Sequence, residues 1–307
     1  MTTIFSTALE LGLILSITVL SLFLSYQMLD VCDLSTDGVF TLGAAVGTMV
    51  AYSGHPFLSF PAAMLAGSAA GLTSALIQTK AGVDSLLAFI IVNTALYSVN
   101  IAVMHNSSLV NLNKTETIFT IVKALLADTF LSSQYKLVII LFFVLLVATA
   151  LTLFLKTRLG MAIRATGNNR TMVLSSSIDP SKMTIIALVI SNSFTALSGC
   201  LLGQSQKSVN IDIGSGILTI ALASLLIGRI LYRSNSPLPY KIFCSIVGAF
   251  IFRIIYALAL RLKMPAFMLR FISSTIVFLA IATPYLIKRQ KEIARIRAHT
   301  KEVKRNA

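Results

Sequence analysis

Apolar residues run in long blocks separated by short polar stretches. The blocks predict helices at about 4–28, 38–54, 57–78, 85–105, 136–156, 183–205, 214–232, 240–260 and 268–287, because a membrane-crossing helix needs roughly 20 predominantly apolar residues. The expected architecture is all-α: a polytopic membrane helix bundle of about eight to ten transmembrane helices, some broken or re-entrant. Residues 1–287 make up the transmembrane domain and residues 288–307 a basic tail. The block at 38–54 is short and glycine-rich, which marks it as a candidate broken helix. The stretch 106–135 is polar and then mildly amphipathic from Thr117 to Phe130, so it predicts an external loop bearing a surface helix.

Small residues recur at every fourth position. Gly43, Gly47 and Ala51 form one stripe, Ala63, Gly67, Gly71 and Ala75 a second, and Ser191, Thr195, Gly199 and Gly203 a third. Spacing of four puts each set on one helix face, where backbones can approach closely, so helix packing is the preferred reading. A weak internal similarity links Asp37-Gly38-Val39-Phe40-Thr41-Leu42 to Gly214-Ser215-Gly216-Ile217-Leu218-Thr219. Each segment enters an apolar block through glycine, a feature of pseudo-symmetric transporters as well as of chance.

Composition narrows the class. Hydrophobic residues are 56% of the chain and charged residues 12%, about half the usual share for a soluble domain. A disordered chain needs the opposite balance. The net charge of +14 would suggest nucleic acid in a soluble protein. Here the basic residues gather beside apolar blocks, so topology and lipid contact explain them and no nucleic-acid partner is expected. The last twenty residues, from Lys288, carry +6 of the charge, and Lys156, Arg158, Arg164, Arg170 and Lys182 form a second cluster. The positive-inside rule places the 156–182 loop, the Arg229–Lys241 link and the tail in the cytoplasm, with Lys207–Gly214 and 106–135 outside. Arg253, Arg261, Lys263 and Arg270 surround an apparent external turn and violate that rule. The N-terminus has no basic n-region and no small-residue cleavage site, so the first block is expected to be a retained span.

Candidate chemistry is sparse. The sequence contains no G-x-S-x-G, no H-E-x-x-H and no GxxxxGK[ST] phosphate loop. Cys32, Cys200 and Cys244 show no metal-ligand spacing, and His55, His105 and His299 are scattered, so no metal or cofactor is expected. Polar residues inside apolar blocks are costly and therefore candidates for function. Asn93, Tyr97 and Asn100 fall at i, i+4 and i+7, and Asn192 and Thr195 at i and i+3. They read either as a lining for a translocation path or as interhelical hydrogen bonds. Asp30, Asp33 and Asp37 sit in the turn before the second block, where solvation is the simpler expectation and Asp37 suits a helix cap or the path.

The 156–182 loop is more ordered than topology requires. It reads Lys156-Thr-Arg158-Leu-Gly160-Met-Ala-Ile-Arg164-Ala165-Thr-Gly167-Asn168-Asn-Arg170, and then reaches Ser177-Ile178-Asp179-Pro180-Ser-Lys182. The alternation predicts helix, turn and helix, a form suited to docking a second protein.

At this loop the chain resembles the permease subunits of ABC importers in the branched-chain amino acid permease family. That family carries R-x-G-x-x-x-R-A, found here as Arg158-Leu-Gly160-Met-Ala-Ile-Arg164-Ala165. A glycine turn usually follows, and Ser177-Ile178-Asp179 replaces that glycine with serine. Ser198-Gly199-Cys200-Leu201-Leu202-Gly203 matches the family's small-residue run, and Asp33-Leu-Ser-Thr-Asp37-Gly38 with Gly43-Ala44 echoes its N-terminal pattern. A usual "GG" is Ile227-Gly228-Arg229 here, a departure at a possible ATPase contact. The closest resemblance is to a subgroup provisionally linked to aromatic amino acids.

The resemblance implies a subunit of an import machine in a bacterial inner membrane, with no catalysis of its own. Two ATPase subunits would use ATP, an external binding protein would deliver an amino acid or related metabolite, and a second permease subunit, expected to be an identical copy, would complete the path. ATPase coupling would fall to Arg158, Gly160, Arg164, Ala165, Gly167, Asn168 and Asp179. Asp37, Asn93, Tyr97, Asn100, Asn192 and Thr195 are the path candidates. A stand-alone ion-coupled carrier and a membrane scaffold or intramembrane enzyme are the competing classes.

Overall fold

The computed structural model describes residues 2–113, 115–125, 134–233 and 236–261, with isolated helical positions at 271, 274, 275, 278 and 282. The tail at 288–307, Lys263 and Arg270 therefore lie outside the described residues, as does the expected helix at 268–287 apart from those five positions. The chain folds as α1 (Thr2–Leu22), a π-helical turn (Phe23–Met28), α2 (Thr36–Tyr52), α3 (Ser59–Thr79), α4 (Ser85–Val103), β1 (Leu109–Asn111), α5 (Ile118–Leu125), α6 (Tyr135–Lys156), α7 (Arg158–Asn168), α8 (Arg170–Ser175), α9 (Pro180–Gln206), β2 (Ser208–Asn210), α10 (Ile217–Ile230) and α11 (Leu238–Arg261). Among the described residues, six helical stretches are long and apolar enough to cross a membrane: Thr7–Met28, α3, α4, α6, α9 and Leu238–Ala259. The fold is the expected all-α bundle.

α9 is the axis of the bundle. Its 27 residues span about 40 Å at ~1.5 Å per residue, and its second half, from Ser191 to Gln204, is buried without interruption. α1 runs antiparallel to it: Ser198 donates its hydroxyl to the Ile14 carbonyl at 2.7 Å, while Ser21 meets Ser191 at 2.9 Å. α3 is also antiparallel, with its first residue, Ser59, at Gln204 and Gly71 at Leu188. α2 runs parallel to α9, pairing Gly43 with Ala196 and Gly47 with Cys200.

The small-residue stripes make these contacts. A Cβ placed on Gly43 would overlap the Ala196 backbone, and one on Gly199 would overlap the Phe40 carbonyl. Gly67 and Gly71 meet the carbonyls of Asn192 and Leu188 in the same way. Backbone contact of this kind lets helices associate without a hydrophobic gain, which lipid does not supply.

Two helices are short. α2 has 17 residues and α10 has 14. In the α2–α9 register, Asp37 is level with the middle of α9, so α2 starts at half height. Residues 29–35 climb to that level from the end of α1 without helix. α10 also begins there, because the α10 N-terminus bonds to Asp37. The glycine-rich second block is thus a half-helix, and α10 is another. The internal similarity seen in sequence corresponds to two half-helix starts that touch.

The bundle has a basic end and a far end. The basic end holds α7 and α8, the start of α9, and the ends of α3, α6 and α10. At the far end β1 pairs antiparallel with β2, matching Leu109 to Asn210 and Asn111 to Ser208. Leu112 N–H donates to the Lys207 carbonyl at 2.8 Å and extends the ladder. The expected loop helix, Thr117 to Phe130, is α5, which starts at Ile118; its expected remainder, 126–130, lies outside the described residues.

Candidate functional site

The middle of the bundle concentrates polar groups around the two half-helix starts. Asp37 lies in the first turn of α2. Its carboxylate accepts the Gly216 N–H at 3.0 Å and the Leu218 N–H at 2.7 Å, so one side chain caps α10 while sitting at the start of α2. Free N–H groups and the helix dipole make each N-terminus attractive to a carboxylate. Gly216 enters α10 at φ 84°, a conformation that favours glycine.

Gly38 is clamped by α4. Its N–H donates to Asn93 Oδ1 at 2.9 Å, and its carbonyl accepts the Asn100 amide at 3.1 Å. These two asparagines are therefore interhelical clasps. Tyr97, predicted to share their face, is instead 52% exposed. Seven positions along a helix advance almost two full turns, whereas four positions overshoot one turn by about 40°. That offset turns Tyr97 off the α2 contact.

Asp33 corrects a second expectation. The solvated-turn reading fails, for Asp33 is 1% exposed. One carboxylate oxygen accepts the Ser35 N–H at 2.9 Å and the Ser35 hydroxyl, and the other accepts the Asn192 amide at 2.7 Å. Asn192 also donates to the Leu188 carbonyl at 3.0 Å. Three hydrogen bonds compensate a buried carboxylate in a way that a turn in water does not need. Thr195 faces elsewhere: its hydroxyl meets Ser21 Oγ at 2.7 Å, and Ser21 also bonds Ser191. Asn192 and Thr195 thus serve different neighbours, Asp33 and α1.

The basic end carries an ordered surface of short, capped helices. Thr157 caps α7 by accepting the Gly160 N–H at 3.3 Å, Asn169 caps α8 by accepting the Met172 N–H at 3.1 Å, and Asp179 caps α9 by accepting the Ser181 N–H at 2.9 Å. Pro180 occupies the first turn of α9, where its missing N–H costs nothing. Three successive caps explain the predicted helix and turn alternation. Ser177, at the turn where the resemblance implies glycine, adopts φ 60°.

The predicted coupling residues divide by role. Arg158, Arg164, Ala165, Asn168 and Asp179 are exposed. Leu159, Met161, Met172 and Leu174 stand beside them, 46–66% exposed. Gly160 and Gly167 point inward instead. A Cβ on Gly160 would overlap the end of α6, and one on Gly167 would overlap the Met28 carbonyl at the end of the π-helical turn. Ile163 is fully buried between them. The arginines face out because the glycines and Ile163 hold α7 against the bundle.

The π-helical turn is a junction that sequence reading missed. Gly167 abuts its end, and Gln27 donates its amide to the Tyr232 hydroxyl after α10. Burial lifts the Tyr232 phenol above its ordinary value, which keeps it protonated. Val31 N–H returns to the Ser25 carbonyl at 2.9 Å, leading the chain up to Asp33. Arg253 packs against Gly12 and lies 5.0 Å over the Tyr256 ring, so that cation is placed against an aromatic face.

Residues 4–283 match the family model described as branched-chain amino acid transport system / permease component. A tyrosine transport system permease protein of Clostridioides difficile (strain R20291) is 31% identical over 273 residues, covering 89% of this chain and 88% of that one. An uncharacterized protein of Rickettsia prowazekii (strain Madrid E) is 28% identical over 284 residues, covering 90% of this chain and 96% of the other. No solved structure matches. The chain is a multi-pass membrane protein and a transport permease, and it belongs to the family of branched-chain amino acid transport system permease components.

Proposed function

We propose that this chain is the permease subunit of an ATP-driven ABC importer in a bacterial inner membrane, and that its cargo is an aromatic amino acid. The observation that carries the reading is the capped, outward-facing α7–α8 surface on a family permease. It offers Arg158 and Arg164 for charge pairing and Leu159, Met161, Met172 and Leu174 for apolar contact, a mixture suited to a protein interface. The tyrosine transport permease among its relatives supports the cargo class. The positive-inside rule makes the basic end cytoplasmic, which sets β1, β2 and α5 outside, toward an external binding protein.

In this reading two ATPase subunits dock on the α7–α8 surfaces of two permease copies. The chain itself supplies no phosphate loop, so ATP is bound and hydrolysed by the partner. A push on α7 travels through Gly167 to the π-helical turn, and then along residues 29–35 to Asp33, Asn192 and the two half-helix starts. Such a route does work only if ATP-driven closure favours one arrangement of these elements over the other. Asp37, Asn93 and Asn100 set the height and tilt of the half-helices beside the path.

Co-purification with the partner ATPase tests the assignment. Arg164→Glu reverses an exposed charge without touching the packing of α7. The variant should insert normally and lose at least tenfold in ATPase affinity. Unchanged affinity and unchanged ATP-driven uptake would refute the docking assignment.

A further inference from the structure

A cavity of about 500 Å³ opens at the basic end, between the α3–α4 turn and the start of α9. Thr79, Asp84, Arg170, Leu174, Asp179 and Pro180 are among its lining residues. Its volume lies within the range of small-molecule sites, about 300–1,000 Å³.

The charges in it are unmatched by one another. Arg170 donates one guanidinium N–H to Thr184 Oγ1 at 3.3 Å, while a guanidinium has five such donors. Asp84 and Asp179 each commit one oxygen to a helix cap, at Leu86 N–H and Ser181 N–H, both 2.9 Å. Among the described residues, neither carboxylate pairs with the guanidinium, although all three line one cavity. A ligand that satisfies both signs needs a carboxylate for the planar fork of Arg170 and an ammonium for the aspartates. Leu174 and Val83 add apolar wall for a side chain.

We propose that this cavity binds a zwitterionic α-amino acid on the cytoplasmic face and thereby senses delivered product. The regulatory meaning rests on the importer reading above; the binding itself does not. The position suits regulation, because Arg170 lies on α8, whose exposed Met172 and Leu174 belong to the docking surface. A bound amino acid would tie α8 to the α3–α4 turn and to the cap of α9, and so restrain the element that the ATPase moves.

The test uses the purified full chain in detergent, with L-phenylalanine as probe and calorimetry as readout. Phenethylamine and 3-phenylpropionate carry one charge each and serve as controls. Saturable binding of the amino acid is expected, with both controls at least tenfold weaker. Arg170→Gln should weaken binding at least tenfold. Asp84→Asn and Asp179→Asn should each weaken it severalfold while keeping the cap, since asparagine also caps helices. Undiminished binding by Arg170→Gln would overturn the proposal, as would absence of saturable binding. Binding that vanishes once the ATPase is docked would also overturn it, by making the cavity part of the protein interface. Failure to associate with any ATPase would defeat the importer reading and leave the binding result standing.

Discussion

Ser177 shows what a single residue contributes and what it costs. Its φ of 60° places a side chain in the left-handed region, beside the start of α9. An L-residue there costs roughly 1–2 kcal/mol relative to glycine. Ser177→Gly is therefore expected to raise unfolding stability by about 1 kcal/mol, readable as a shift in the thermal or SDS denaturation midpoint; a lower midpoint would contradict the strain. Asp33 is the opposite case, a residue whose loss is expensive. Asp33→Ala leaves the Ser35 N–H and the Asn192 amide without their acceptor in the core. An orphaned buried donor costs about 1–3 kcal/mol, so the variant should lose at least that much in the same denaturation assay. Asp33→Asn keeps an oxygen for one of the two and should fall between. Little of this was legible in the sequence. Asp33 looks like any turn aspartate, because its partner, Asn192, lies 159 positions away. Tyr97 sits at helical spacing with Asn93 and Asn100 and still faces out, since periodicity carries no information on where the neighbouring helix lies.

Elements were easier to read than their partners. Long apolar blocks marked α1, α3, α4, α6, α9 and α11, because lipid demands continuous apolar helix. The glycine–asparagine turn and the Ser177–Pro180 turn marked α7, α8 and the start of α9. The π-helical turn and the β1–β2 pairing left no such trace, and the half-height starts of α2 and α10 left only a short glycine-rich block and a weak internal similarity. Each depends on segments far apart in sequence, as when Asp37 caps a helix 179 positions on. The glycines of α7, expected among the coupling residues, pack against the end of α6 and the end of the π-helical turn. Gly167→Ala tests the difference. Its Cβ would strike the Met28 carbonyl, while the outward arginines keep their places. The expected outcome is ATPase binding within about threefold of wild type, with ATP-driven uptake reduced at least tenfold. Loss of both together would mean that α7 has simply detached.

At the scale of the whole molecule, charge and hydropathy divide the labour. The apolar bundle, held by glycine contacts to α9, pairs the Asp33 and Asp37 carboxylates and the Gly38 backbone inside. The basic end presents exposed charge and apolar side chains on α7 and α8, and the far end presents β1, β2 and α5. From the basic end a chain of contacts runs from Gly167 through the π-helical turn to the half-helix starts at mid-height. In the proposed importer the permease supplies the path and the lever, and a partner subunit supplies the motor. Reconstitution into liposomes tests that most directly. The chain is combined with its ATPase and binding protein, and uptake of a labelled aromatic amino acid is measured with ATP, without ATP, and with an ion gradient alone. The account predicts uptake only when ATP and the ATPase are both present. Concentrative uptake by the isolated chain on an ion gradient would contradict it.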